Sequence, residues 1–131
     1  IRQLLPVSGS THGGLTLTRA ATLEGLATAL YTSLAQQSGF INAPAYRNRV
    51  FLQTQQFLQQ CSILHAQLAN GAEPTGLRQT CHSLVDAWQT CSATLEELPS
   101  RGMPLQAYRS VSRARSQVDP AVAEIAVMFG Q

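Results

Sequence analysis

Four stretches of this chain repeat their apolar residues at alternating steps of three and four, and no stretch alternates apolar with polar. Steps of three and four follow the 3.6-residue period of an α-helix. A chain of 131 residues with only this period can bury its apolar stripes only helix against helix. The expected fold is all-α: an up-down-up-down four-helix bundle with an extended N-terminal arm, and a last helix kinked or broken at Pro120. The length suits one domain. Residues 1–15 read as an arm or linker and residues 16–131 as the bundle.

The arm is marked by Pro6, Gly9, Gly13 and Gly14 among Ser and Thr, with Leu4, Leu5 and Val7 able to dock on a neighbour. The first helix is expected from Thr16 or Thr18 to Ser38, with the stripe Ala20, Leu23, Ala27, Leu30, Leu34. Gly39 stands where a left-handed C-terminal residue is wanted, followed by Phe40 and Ile41. The second helix opens with Asn42 as N-cap and Pro44 in the first turn, and stops at Gly71. Its stripe reads Phe51, Thr54, Leu58, Cys61, His65, Leu68, flanked by Val50, Phe57 and Leu64. The third helix, from near Pro74 to Leu98, carries Leu77, Cys81, Leu84, Trp88, Cys91, Leu95 and Leu98. The fourth, from Pro104 or Leu105, carries Tyr108, Val111, Arg115, Val118, Val122, Ile125 and Phe129. This stripe keeps its phase across Pro120, which favours a kink over a break.

The short turn at Gly71 makes the second and third helices an antiparallel hairpin. Taking Gly71 as the centre, facing residues have numbers that add to 142: His65 with Leu77, Cys61 with Cys81, Leu58 with Leu84, Thr54 with Trp88, Phe51 with Cys91.

Charge separates function classes. Only 12% of residues are charged, about half the usual share, and the net charge is +2. Nine Arg and no Lys, spread along the chain, do not make a nucleic-acid binder. Polarity comes from fourteen Gln, eleven Ser and eleven Thr. No apolar run approaches the roughly 18 residues of a membrane span. The chain opens at Ile1 without a signal-peptide pattern. A segment cut from a larger, exported (periplasmic or secreted) protein is the expectation this supports.

Two clusters of residues have chemical potential. Cys61 and His65 share a helix face, with Cys81 and His82 at the same level on the partner helix, so these four are the candidate metal ligands. A disulfide between Cys61 and Cys81, or plain buried thiols, are the structural alternatives. Arg47, Arg49, Arg101, Arg109 and Arg113 can gather at one end of the bundle as a site for an anion or an acidic partner. Arg115 falls in the apolar stripe, with Asp119 one turn on as its expected partner. The seven carboxylates include no acid/base pair, the Glu-x-x-His pattern of di-iron bundles is missing, and no phosphate loop occurs. Cys91 has no His near it, and His12 lies in the arm. The expectation is therefore not an enzyme, with no cofactor. It is a non-catalytic interaction or spacer domain whose partner is a protein or other domains of the same chain. A sensory bundle recognising an anion at the Arg-rich end, and a metal-binding bundle, are the alternatives.

Overall fold

The structure, a computed structural model, describes the backbone of residues 4–131 and the side chains of residues 14–131. Four helices follow in order: α1 Leu4–Gln36, α2 Pro44–Ala69, α3 Pro74–Leu95 and α4 Leu105–Met128. Two short 3-10 turns, Ser38–Phe40 and Leu98–Arg101, lie between helices at one end, and no strand occurs among the described residues. α1 packs on both α2 and α4; α3 packs on α2 and more lightly on α4. Neighbours in sequence are neighbours in space, and the first helix closes on the last, as an up-down-up-down bundle requires. The end where α1 and α3 finish is called the lower end here, and the end holding Gly71 the upper.

The stripes of α1 and α3 are buried as read. Leu23, Ala27, Leu30 and Leu34 face the core from α1; Cys81, Leu84, Trp88, Cys91, Leu95 and Leu98 do so from α3 and the turn after it. Val111, Val118, Val122 and Ile125 continue the core on α4. The helix runs unbroken through Pro120, so the separate short helix is excluded.

α2 differs from expectation. Its buried residues are Tyr46, Val50, Thr54, Phe57, Cys61 and Leu64, while Phe51, Leu58 and His65 are only half-buried. The apolar arc of α2 is broad because the helix serves two neighbours. Phe51 turns aside to meet Tyr31 of α1 edge-on, at 5.7 Å between ring centroids, and His65 turns to Glu24 of α1. The register shifts with it. The Phe57 and Trp88 rings lie 4.9 Å apart, and Thr54 Oγ1 is 3.4 Å from Cys91 Sγ. Both pairs add to 145, not 142. The cause is geometric. The turn lies between Ala69 and Pro74, whose numbers add to 143. Each helical side chain leans toward its own N-terminus and covers a spot about one residue back along its helix. Side chains that meet are therefore about one residue further along each helix, which raises the total by two.

The helix ends depart from their predicted chemistry. α1 is assigned from Leu4, ahead of Thr16 or Thr18, while the side chains of the predicted arm before Gly14, including Leu4, Leu5, Val7 and His12, lie outside the described residues. Gly39 sits inside a 3-10 turn and not in the left-handed region. The N-cap of α2 is Ala43, with no side-chain cap bond, so Asn42 does not cap it. Asn42 instead donates its backbone N–H to the Arg101 carbonyl at 3.4 Å, tying the two lower loops together. Gly102 makes that junction possible. Its φ is 104°, and a Cβ there would lie 2.9 Å from the Phe40 carbonyl oxygen.

Candidate functional site

The metal set is not assembled. Among the described residues no group of three or more His, Cys, Asp or Glu could hold an ion. His65 Nδ1 lies 2.8 Å from Glu24 Oε1. His82, exposed, lies 3.4 Å from Asp86 and 3.2 Å from Gln131 Oε1. Cys81 Sγ points across to the Ile125 carbonyl on α4, at 3.8 Å. The three cysteines are free, buried thiols. In the 145 register Cys61 lies level with Leu84, and Cys81 with Leu64. The two cysteines are thus offset by three residues, about 4.5 Å along the axis. With that offset between the side chains, and with Cys81 turned toward α4, the alternative of a Cys61–Cys81 disulfide is not formed.

His65 belongs instead to a polar cluster on the α1–α2 seam. The Ser62 hydroxyl donates to Glu24 Oε2 at 2.5 Å, while His65 holds the other carboxylate oxygen. Ser62 and His65 are one turn apart on α2, so both reach the same residue of α1. Their bonds hold the Glu24 carboxyl below its usual range, Ser62 first and His65 second, against a smaller opposing effect of burial. Glu24 in turn faces Cys61, and its charge adds to burial in pushing that thiol up. Sequence patterning missed this cluster. One signal was available: Glu24 is the only carboxylate in the first 72 residues, and a lone acid beside a buried stripe needs partners.

The Arg-rich end is assembled in part. Arg49 and Arg101 flank the Tyr46 ring, at 5.4 and 4.8 Å from its centroid. Glu97 sits with them, 3.8 Å from Arg49 and 3.1 Å from Arg101. The Tyr46 hydroxyl donates to the Thr94 carbonyl at 2.6 Å. Burial pushes this phenol up to about 12, with Glu97 acting in the same direction and the two guanidiniums opposing. Glu97 already supplies the anion, so the group is a clasp between the lower loops and α2. Arg47, Arg109 and Arg113 are not drawn into it. Arg115 is not paired with Asp119 as expected. It reaches α3, where its Nε donates to Ser92 at 2.8 Å and its Nη2 to Glu96 at 2.7 Å. Asp119 is taken by the Trp88 indole N–H at 2.9 Å. The buried indole needed an acceptor, and Asp119 lies on the turn of α4 that faces it.

The outer face of α2 is distinctive in another way. Between Arg49 and Glu73 no Asp, Glu, Lys or Arg occurs. Leu52 and Ile63 project from this stretch, 55% and 44% exposed. They are eleven residues apart, so they point within about 20° of each other, some 16 Å apart along the axis. Gln55, Gln56 and Gln59 fill the exposed surface between them. No described helix is long and apolar enough to cross a membrane. No protein-family model matches the chain, and no curated protein or solved structure is significantly similar to it.

Proposed function

We propose that the protein is a non-catalytic helical-bundle interaction domain that binds another protein, or other domains of its own chain, through the outer face of α2. The observation that carries this reading is the uncharged exposed face holding Leu52 and Ile63. A helix surface without charge is cheap to strip of water, because amides and aliphatic groups cost far less to bury than ions. The buried centres of protein interfaces are depleted in charge for the same reason. The occupant that fits is a helix with its own aliphatic residues at steps of three and four, set against Leu52 and Ile63, with amide groups between. The chemistry of the thiols supports a non-catalytic role, since burial raises all three and the thiolate is the reactive form. The proposed setting, a larger exported protein, rests on composition.

The test uses a photo-crosslinking residue at position 52 in the native host, with the same residue at exposed Arg109 of α4 as control. The expected result is one dominant adduct from position 52. The identified partner should then bind purified wild-type protein and lose binding to the folded L52E/I63E double variant. Equal crosslinking from both positions, or binding unchanged in the double variant, would refute this reading.

A further inference from the structure

At the upper end, between the C-terminal ends of α2 and α4 and the first turns of α3, lies an open cavity of about 530 Å³. That size is within the range of small-ligand sites. Its apolar walls are Leu68 of α2, Leu77 of α3, and Met128 and Phe129 at the end of α4. It opens where α3 and α4 pack lightly. The rim is fixed by specific bonds. Gly130, at φ 75°, turns the chain so that the Gln131 N–H returns to the Ala126 carbonyl at 2.8 Å. The Gln131 side chain then crosses to α3, donating to the Arg78 carbonyl at 3.3 Å and meeting His82 Nδ1 at 3.2 Å. These bonds hold the Met128–Gly130 segment against the α3 side of the cavity.

Among the described residues Arg78 is the only charged one lining the cavity, and its guanidinium makes no ion pair with any of them. An apolar cleft with one unpaired guanidinium at its edge has the two requirements of an amphipathic anion. We infer that this cavity binds a small monocarboxylate with an apolar tail. The tail lies along Leu68, Leu77, Met128 and Phe129, and the carboxylate pairs with Arg78, whose planar fork matches two oxygens. The C-terminal ends of α2 and α4 direct partial negative charge toward the same mouth, offset only in part by the single N-terminus of α3. They disfavour a compact polyanion, so the tail carries the affinity and the guanidinium sets the sign. Each methylene added to a buried tail then raises affinity by about fourfold.

The test is a titration of the whole protein with octanoate, decanoate, 1-decanol and citrate, each below its aggregation limit, followed by amide correlation spectra. The expected result is saturable shifts for decanoate confined to residues around Leu68, Leu77, Arg78 and Phe129. Decanoate should bind about fifteenfold more tightly than octanoate. R78Q, a change at an exposed position, should weaken decanoate about tenfold and leave 1-decanol unchanged, and citrate should not saturate. A second variant, L68W, fills the cavity and should abolish the shifts while preserving the folded spectrum. Shifts scattered over other apolar positions, no saturation, or equal decanoate affinity in wild type and R78Q would overturn the inference. The L52E/I63E variant should bind decanoate as wild type does, so a failure here is separate from a failure of the α2 interaction surface.

Discussion

Glu24 shows how much one residue can organise when charges are scarce. It accepts from Ser62 and pairs with His65, and it borders Cys61. Its carboxyl titrates below the usual 4.5 because Ser62 and His65 favour the ionised form. A carboxyl whose folded pKa is depressed binds fewer protons folded than unfolded across that interval. Its stabilisation is complete above about 4.5 and is lost as the pH falls through the folded value. The site is about one-third exposed, so solvent screening limits the effect to about 1 kcal/mol. Glu24→Gln should therefore lower stability by about that amount at pH 7, with the gap to wild type closing as the pH drops below 4.5. Urea melts across a pH series would show it. A gap that stays constant down to pH 3 would mean the carboxylate charge contributes nothing.

At the scale of the element, the stripes of α1 and α3 were legible in the sequence because each runs in a single phase of three and four steps, with its large apolar residues in that phase. That of α2 was not, because its apolar arc spans two neighbours and offers two adjacent stripes. Phe57 and Leu64 looked like flanking residues and are core; Leu58 and His65 looked like core and sit at the α1 edge. The register moves from 142 to 145 because the turn between Ala69 and Pro74 is centred just past Gly71 and because side chains lean toward their own helix N-termini. The partners of Arg115 and Asp119 were hidden for a related reason, since sequence proximity suggested a pair within α4 and both residues reach across to α3. Phe57→Ala should cost about 3–5 kcal/mol and Leu84→Ala about 2–5 kcal/mol, against about 1 kcal/mol for Leu58→Ala. A double-mutant cycle in denaturant melts should give Phe57 and Trp88 a coupling of about 0.5–1.5 kcal/mol, and Leu58 and Trp88 none. A larger cost for Leu58→Ala than for Phe57→Ala would favour the 142 register, in which Leu58 faces Leu84. On α4, Pro120 interrupts an otherwise continuous helix and leaves the Ser116 carbonyl without its helical donor. Pro120→Ala restores that bond and should stabilise the domain by about 1–3 kcal/mol, less the small gain in unfolded-chain freedom. A lower thermal midpoint in the variant would show that the proline is needed for the Trp88–Asp119 contact.

For the whole molecule, the three thiols report whether the bundle opens as one unit. Cys61 lies on α2, Cys81 and Cys91 on α3, all inside one core. Burial pushes each of them up, Cys81 to about 11. For Cys61 the Glu24 charge adds to burial; for Cys91 the Thr54 hydrogen bond and Arg115 work against it. A buried, protonated thiol cannot attack a disulfide reagent, so labelling must wait for the chain to open. Opening free energies of about 5–15 kcal/mol make native labelling at least about a thousandfold slower than for an exposed thiol. Helices that share one core should open together, so the three sites should label at one rate and with one denaturant dependence. The 145 register adds a second expectation. Because Cys61 and Cys81 are offset along the hairpin, mild oxidation of the folded protein should leave all three thiols countable in denaturant. Mass mapping of a quenched labelling series measures both. Rapid labelling of Cys81 alone without denaturant would reveal a separately opening upper end, and a Cys61–Cys81 link formed in the folded state would place these residues level with each other after all.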